Sequence, residues 1–156
     1  MLKNKARSSS NSTTSSSLSI SPLLLDTCAW VWLVDGNERI KRTKILDQIE
    51  KAAYDHRLFL APISMWEIAT KISKKKLTIS LPILEWIKQG KYRSRIIDAP
   101  FNEEIACDSA ELEDFHGDPA DRIIVSTARH LNAFLITGDS KIISYAKKGH
   151  VSVLKI

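Results

Sequence analysis

The stretch HGDPADRIIVSTARHLNAFLITGD, His116–Asp139, decides how the chain is read. Its centre spaces apolar residues as a helix does, from about Pro119 to Leu131, with Asp118 as cap and Pro119 as first helical residue. AFLIT, at Ala133–Thr137, reads as a short buried strand, and SKIISYAKKG after it as a helix ending at Gly149. Asp118, Asp121 and Asp139 punctuate this helix, strand and helix. They are either helix caps or parts of one metal site.

The same alternation continues outward in both directions. VSVLKI forms a last strand. Upstream, LLL at Leu23–Leu25 is a buried strand, followed by helices over Thr27–Val34 and about Ile40–His56 and a strand at Leu58–Leu60. Pro62 then opens a helix through ISMWEIATKISKK, on which Ile63, Trp66, Ile68 and Ile72 recur at apolar intervals of three and four. A helix over about Ile83–Tyr92, a strand at Arg95–Asp98 and a helix over about Asn102–Asp114 complete the series. Strands separated by helices need crossover connections, so the pattern predicts one domain with a parallel sheet covered on both faces.

Composition sets the limits. A chain of 156 residues suits one domain, and 44% hydrophobic with 26% charged residues is ordinary for a globular protein. No apolar run approaches the roughly 20 residues of a membrane span. Cys28 and Cys107 lie far apart, and Met1–Ile20 has no apolar core of a signal peptide, so a reduced, cytoplasmic protein is expected. The net charge of +5 argues little for nucleic acid: Lys3, Lys5 and Arg7 fall in the first twenty residues, leaving 20 basic against 18 acidic residues elsewhere. Those twenty residues form a Ser/Thr/Asn-rich tract with almost nothing to bury, expected to be a disordered extension before a domain spanning residues 21–156.

In an open parallel sheet, ligands bind beyond the carboxyl ends of the strands. Asp26 follows the LLL strand and Asp139 follows AFLIT, while Asp121 opens a helix entering from that rim and Glu67 lies one turn into the helix after the second strand. Singly, Asp26, Asp118 and Asp139 read as helix caps and Glu67 as a solvated helix residue. Together, carboxylates at one rim repel each other unless a cation neutralises them, and an all-oxygen set favours Mg²⁺ or Mn²⁺ over zinc. Phosphodiester hydrolysis suits such a site.

The ordered segments LLLDT, APISMWEIATK, HGDPADRIIVSTA and AFLITGD resemble the PIN-domain ribonucleases, and most closely their VapC-type toxin branch, over about Ser21–Ile156. The resemblance implies an α/β fold, a three-layer α/β/α sandwich around a central parallel sheet. It carries the family's acidic quartet onto Asp26, Glu67, Asp121 and Asp139 as catalytic and metal-holding residues, with Mg²⁺ (or Mn²⁺) as cofactor. Asp118 and Thr137 are expected around the quartet, Asp118 chiefly as the helix cap and Thr137 as a hydroxyl orienting a ligand or water. Lys71, Lys74 and Lys75, beyond Glu67 on its helix, could attract RNA phosphate or form a solvated helix end. His116 stands outside the acids and reads as structural or peripheral, and Trp30, Trp32 and Trp86 as core or interface residues.

By the same resemblance the expected function is a metal-dependent endoribonuclease, the toxin of a toxin–antitoxin pair, with RNA as substrate, a cognate antitoxin as partner and a homodimeric state. The alternative is a non-catalytic PIN-like module that binds RNA or protein. A haloacid-dehalogenase-like domain fits less well, because Asp26 is followed by Thr27 and Cys28 and not by a second aspartate two residues on. Removal of residues 1–20 is expected to leave folding unchanged. A melting temperature well below that of the full chain would contradict this.

Overall fold

The computed structural model describes residues 20–41 and 44–156. The expected disorder of the first twenty residues therefore falls outside the described chain, apart from Ile20. The elements run β1 (Leu23–Leu25), α1 (Thr27–Val34), α2 (Glu38–Lys41), α3 (Leu46–Tyr54), β2 (Leu58–Leu60), α4 (Ile63–Ser73), α5 (Ile83–Ser94), β3 (Ile97–Asp98), α6 (Glu103–Glu111), α7 (Pro119–His130), β4 (Phe134–Thr137), α8 (Ser140–Lys147) and β5 (Val153–Lys155).

All four strand pairings are parallel, in the order β3-β2-β1-β4-β5. The central strand β1 is buried on both faces, and its three leucines divide two cores between them. Leu23 and Leu25 join Trp30, Ile49, Leu60, Ile68 and Trp86 on one side. Leu24 joins Ile124, Val125, Leu135, Ile142 and Tyr145 on the other. Alternation along one strand thus produces the three layers: α1, α3, α4 and α5 cover the first face, α7 and α8 the second. Within the first core Trp30 meets Trp86 edge-on at 5.4 Å. Gly90 lies against this pair, where a Cβ would come within 3.2 Å of Trp30 and 3.1 Å of Val34.

Two expectations need correction. The single helix read over about 40–56 is two helices, α2 ending at Lys41 and α3 beginning at Leu46, with Lys44 and Ile45 in a turn before α3. Trp66 is 59% exposed and does not belong to the buried face of α4, which is formed by Ser64, Met65, Ile68 and Ile72. No helix among the described residues is long and apolar enough to cross a membrane.

The loop between α6 and α7 is held by one side chain, Arg122. Its guanidinium donates to five backbone carbonyls: Ser109 at 2.7 Å, Ala110 at 3.1 Å, Leu112 at 2.9 Å, Phe115 at 3.0 Å and His116 at 3.3 Å. These include the carbonyls at the end of α6 that no helical N–H reaches. The planar fork can serve several acceptors at once, which an ammonium cannot match. Arg122→Lys is therefore expected to lower stability by about 2 kcal/mol or more despite keeping the charge, as measured by urea denaturation. An unchanged midpoint would show that the loop holds without the fork.

Candidate active site

Strand order reverses between β1 and β4: the chain leaves β1 towards β2 and β3 on one side, and returns to β4 and β5 on the other. Such a switch point opens a crevice at the carboxyl ends of the two strands. Asp26 follows β1 there, and Asp139 follows β4 after Gly138.

Asp26 is only 6% exposed. Its Oδ1 accepts from the backbone N–H of Ala29 at 2.6 Å and so caps α1, while its Oδ2 accepts from the hydroxyl of Thr137. The buried Thr137 Oγ1 in turn accepts from the Asp139 backbone N–H at 2.9 Å. One hydroxyl thus ties the two acids across the switch point. Asp139 caps α8 through Oδ1, which accepts from Lys141 N at 2.7 Å and Ile142 N at 3.0 Å.

Glu67 reaches the crevice from α4. Thr27 Oγ1, adjacent to Asp26, donates to Glu67 Oε2 and lies 2.9 Å from the buried Ser64 Oγ, whose rotatable hydroxyl completes the chain. On its other oxygen Glu67 faces Lys71, one turn further on, at 3.7 Å. Lys71 also lies 3.7 Å from Cys28 Sγ. Of the three lysines expected towards RNA, Lys71 is thus engaged within the site, whereas Lys74 and Lys75 are exposed at the end of α4.

Asp121 enters from the first turn of α7, which packs against α4. Asp118 caps that helix, accepting from Ala120 N at 3.0 Å and Asp121 N at 3.4 Å. Caps and site are therefore not exclusive. Asp26 and Asp139 do cap helices while lying at the rim, and Asp118 is a cap beside it.

The charges of the four acids are felt mutually. Burial raises the Asp26 carboxyl above the ordinary carboxylate value, against the lowering effect of its Thr137 and Ala29 hydrogen bonds, and Asp139 and Glu67 raise it further. Burial pushes Asp121 up to about 7, with Asp118, Glu67, Asp139 and Asp26 adding repulsion. Burial likewise raises the Cys28 thiol, which argues against a thiolate nucleophile at the rim. Among the described residues, no three histidine, cysteine or carboxylate side chains are drawn together into a ready-made cation cage. Each carboxylate is instead turned towards its own local partner. The donor set nonetheless fits a hard divalent ion: every donor is an oxygen, Asp26 and Asp121 are raised by burial and by their acidic neighbours, and Lys71 lies beside Glu67.

The residues missed by pattern reading are those that hold the acids. Thr27, Ser64 and Arg122 carry no motif of their own, and their roles arise from contacts 6 to 40 positions apart in sequence. His116, read as peripheral, lies with Nε2 3.5 Å from Asp121 Oδ2.

Comparison with known proteins places the fold in a family. Residues 23–148 match the model of the PIN domain. Over 111 residues the chain is 29% identical to Ribonuclease VapC22 of Mycobacterium tuberculosis, covering 69% of this chain and 84% of that protein. In structure it resembles a chain of VapBC2 from Rickettsia felis, solved bound to a promoter DNA fragment, with a TM-score of 0.62 and 16% identity over 85% of this chain and 97% of that one. With the family model spanning most of the chain, and the strand order and switch-point acids in place, this protein belongs to the PIN domain family.

Proposed function

We propose that the protein is a metal-dependent endoribonuclease of the VapC type, the toxin of a toxin–antitoxin pair, and that Asp26, Glu67, Asp121 and Asp139 hold Mg²⁺ or Mn²⁺. The observation that carries this reading is that Asp26 and Asp121, buried at the switch-point rim, each feel the charge of Glu67 and Asp139. The similarity to Ribonuclease VapC22 supports the substrate class. When bound, the cation supplies a Lewis acid that activates water and offsets phosphate charge.

The chain's own residues prepare for that chemistry. Thr137 fixes the Asp26 carboxylate and the Asp139 backbone relative to one another, and Thr27 with Ser64 fixes Glu67. Lys71 offsets part of the Glu67 charge, while Lys74 and Lys75 offer exposed ammonium groups to the RNA backbone. Asp118 acts as the cap that directs Asp121 into the crevice.

A partner site is proposed among the helices of the first layer. A cavity of about 370 Å³ between α1, α3 and α5, lined by Leu33, Val34, Ile49, Ala53 and Tyr54 with Arg93 and Arg95 beside them, suits an amphipathic segment of an antitoxin bearing acidic residues. A homodimer and a cytoplasmic setting belong to the same reading.

Purified protein is expected to cut a mixed RNA pool with Mg²⁺ or Mn²⁺ and not with EDTA, and Asp26→Asn or Asp121→Asn to abolish cutting with the fold retained. Wild-type rates in both variants would remove the assignment. Absence of cutting by wild type and variants alike, in folded protein that binds Mn²⁺, would favour the non-catalytic module.

Stability gives a second test. A carboxyl raised on folding stabilises the native state at low pH, and that contribution is lost as pH rises through the folded value. Metal-free wild type is therefore expected to lose stability between about pH 4 and pH 7 through Asp121. Asp121→Asn is expected to flatten that decline, and added Mn²⁺ to raise the melting temperature of wild type alone. A melting profile identical in wild type and Asp121→Asn across this range would refute the strained-acid account.

A further inference from the structure

Three of the four acids have strong local donors: Asp26 has Thr137 and Ala29, Glu67 has Thr27, and Asp139 has the first turn of α8. The polar neighbour of the Asp121 carboxylate is His116, with Nε2 3.5 Å from Oδ2. That nitrogen is buried and has no hydrogen-bond partner. A buried ring nitrogen without a partner is costly, so its position against a carboxylate calls for an explanation.

The ring is fixed from several sides. Its Nδ1 accepts from the Asp118 backbone N–H at 3.4 Å, its carbonyl accepts from Arg122 Nη1 at 3.3 Å, and its face packs on Phe115 at 4.2 Å, which itself packs on Tyr145 at 4.6 Å. A neutral imidazole that accepts at Nδ1 carries its proton on Nε2. The proton therefore faces Asp121. The pair sits just outside hydrogen-bonding geometry, as catalytic contacts do before their ligand arrives.

We propose that His116 is a positioning residue, whose Nε2–H fixes the Asp121 carboxylate through Oδ2 so that its other oxygen is presented to the divalent cation. The inference rests on the metal-site reading given above and extends it to a residue beyond the four acids. Outer partners of carboxylate ligands orient them in this way, and their loss weakens metal binding by roughly 10 to 100-fold.

The test measures Mn²⁺ affinity by electron paramagnetic resonance on the full chain at neutral pH, comparing wild type with His116→Phe, His116→Gln and Asp121→Asn. His116→Phe keeps an aromatic ring on Phe115 and removes the donor, while His116→Gln keeps an N–H near the Nε2 position. Weakening of roughly tenfold or more in His116→Phe, with substantial recovery in His116→Gln, is the expected result. Melting temperatures of the variants establish that each is folded. Affinity within about twofold of wild type in His116→Phe, alongside a clear loss in Asp121→Asn, would overturn the positioning role and leave the acidic site standing. Equal loss in the Phe and Gln variants would also overturn it, since a restored N–H donor would then recover nothing. Undiminished binding in Asp121→Asn would overturn the acidic site and this role together.

Discussion

The buried hydrogen bond between Thr137 and Asp26 is the constraint on which the rest of the site depends. Parallel strands bring chain ends together at one rim, and β1 and β4, as neighbours, deliver Asp26 and Thr137 to the same point. A carboxylate only 6% exposed is tolerated there because both oxygens are occupied, one by the first turn of α1 and one by the hydroxyl. Thr137 also receives the Asp139 N–H, so the end of one strand sets the backbone from which a second acid departs. Removing the hydroxyl would loosen two acids at once.

Around that point the architecture separates placement from charge. Backbone topology brings Asp26 and Asp139 together, and helix packing brings Glu67 and Asp121. Lys71 offsets part of the negative charge on Glu67, while the Asp121 carboxyl is pushed up to about 7 by its burial first and by the neighbouring acids after it. A site built in this way is electrostatically incomplete by itself. Its geometry is held by hydroxyls, backbone amides and a lysine, which keep the acids in place without neutralising the cluster.

Much of the fold was legible in the sequence because its signals are local. LLL and AFLIT stand as apolar strands, and the cap-and-proline start of α7 is written in Asp118 and Pro119. The acids were legible by their order along those elements. Where reading failed, the deciding fact lay in three dimensions. Trp66 fits the apolar spacing of α4 yet faces outward, because Met65, Ile68 and Ile72 already fill the stripe against the core. Arg122 looks like an ordinary charged helix residue, and nothing nearby in sequence signals that five carbonyls await it. His116 becomes informative only once the loop it belongs to is folded back on α7.

The double duty of Asp26 and Asp139 bears on how such a site can decay. Both carboxylates begin helices, and asparagine serves as well as aspartate in that office. A single-base drift from Asp to Asn would silence the charge while sparing the architecture. On the proposed reading, descendants of this chain would lose their chemistry long before losing their shape, leaving intact scaffolds free to be recruited as binding partners.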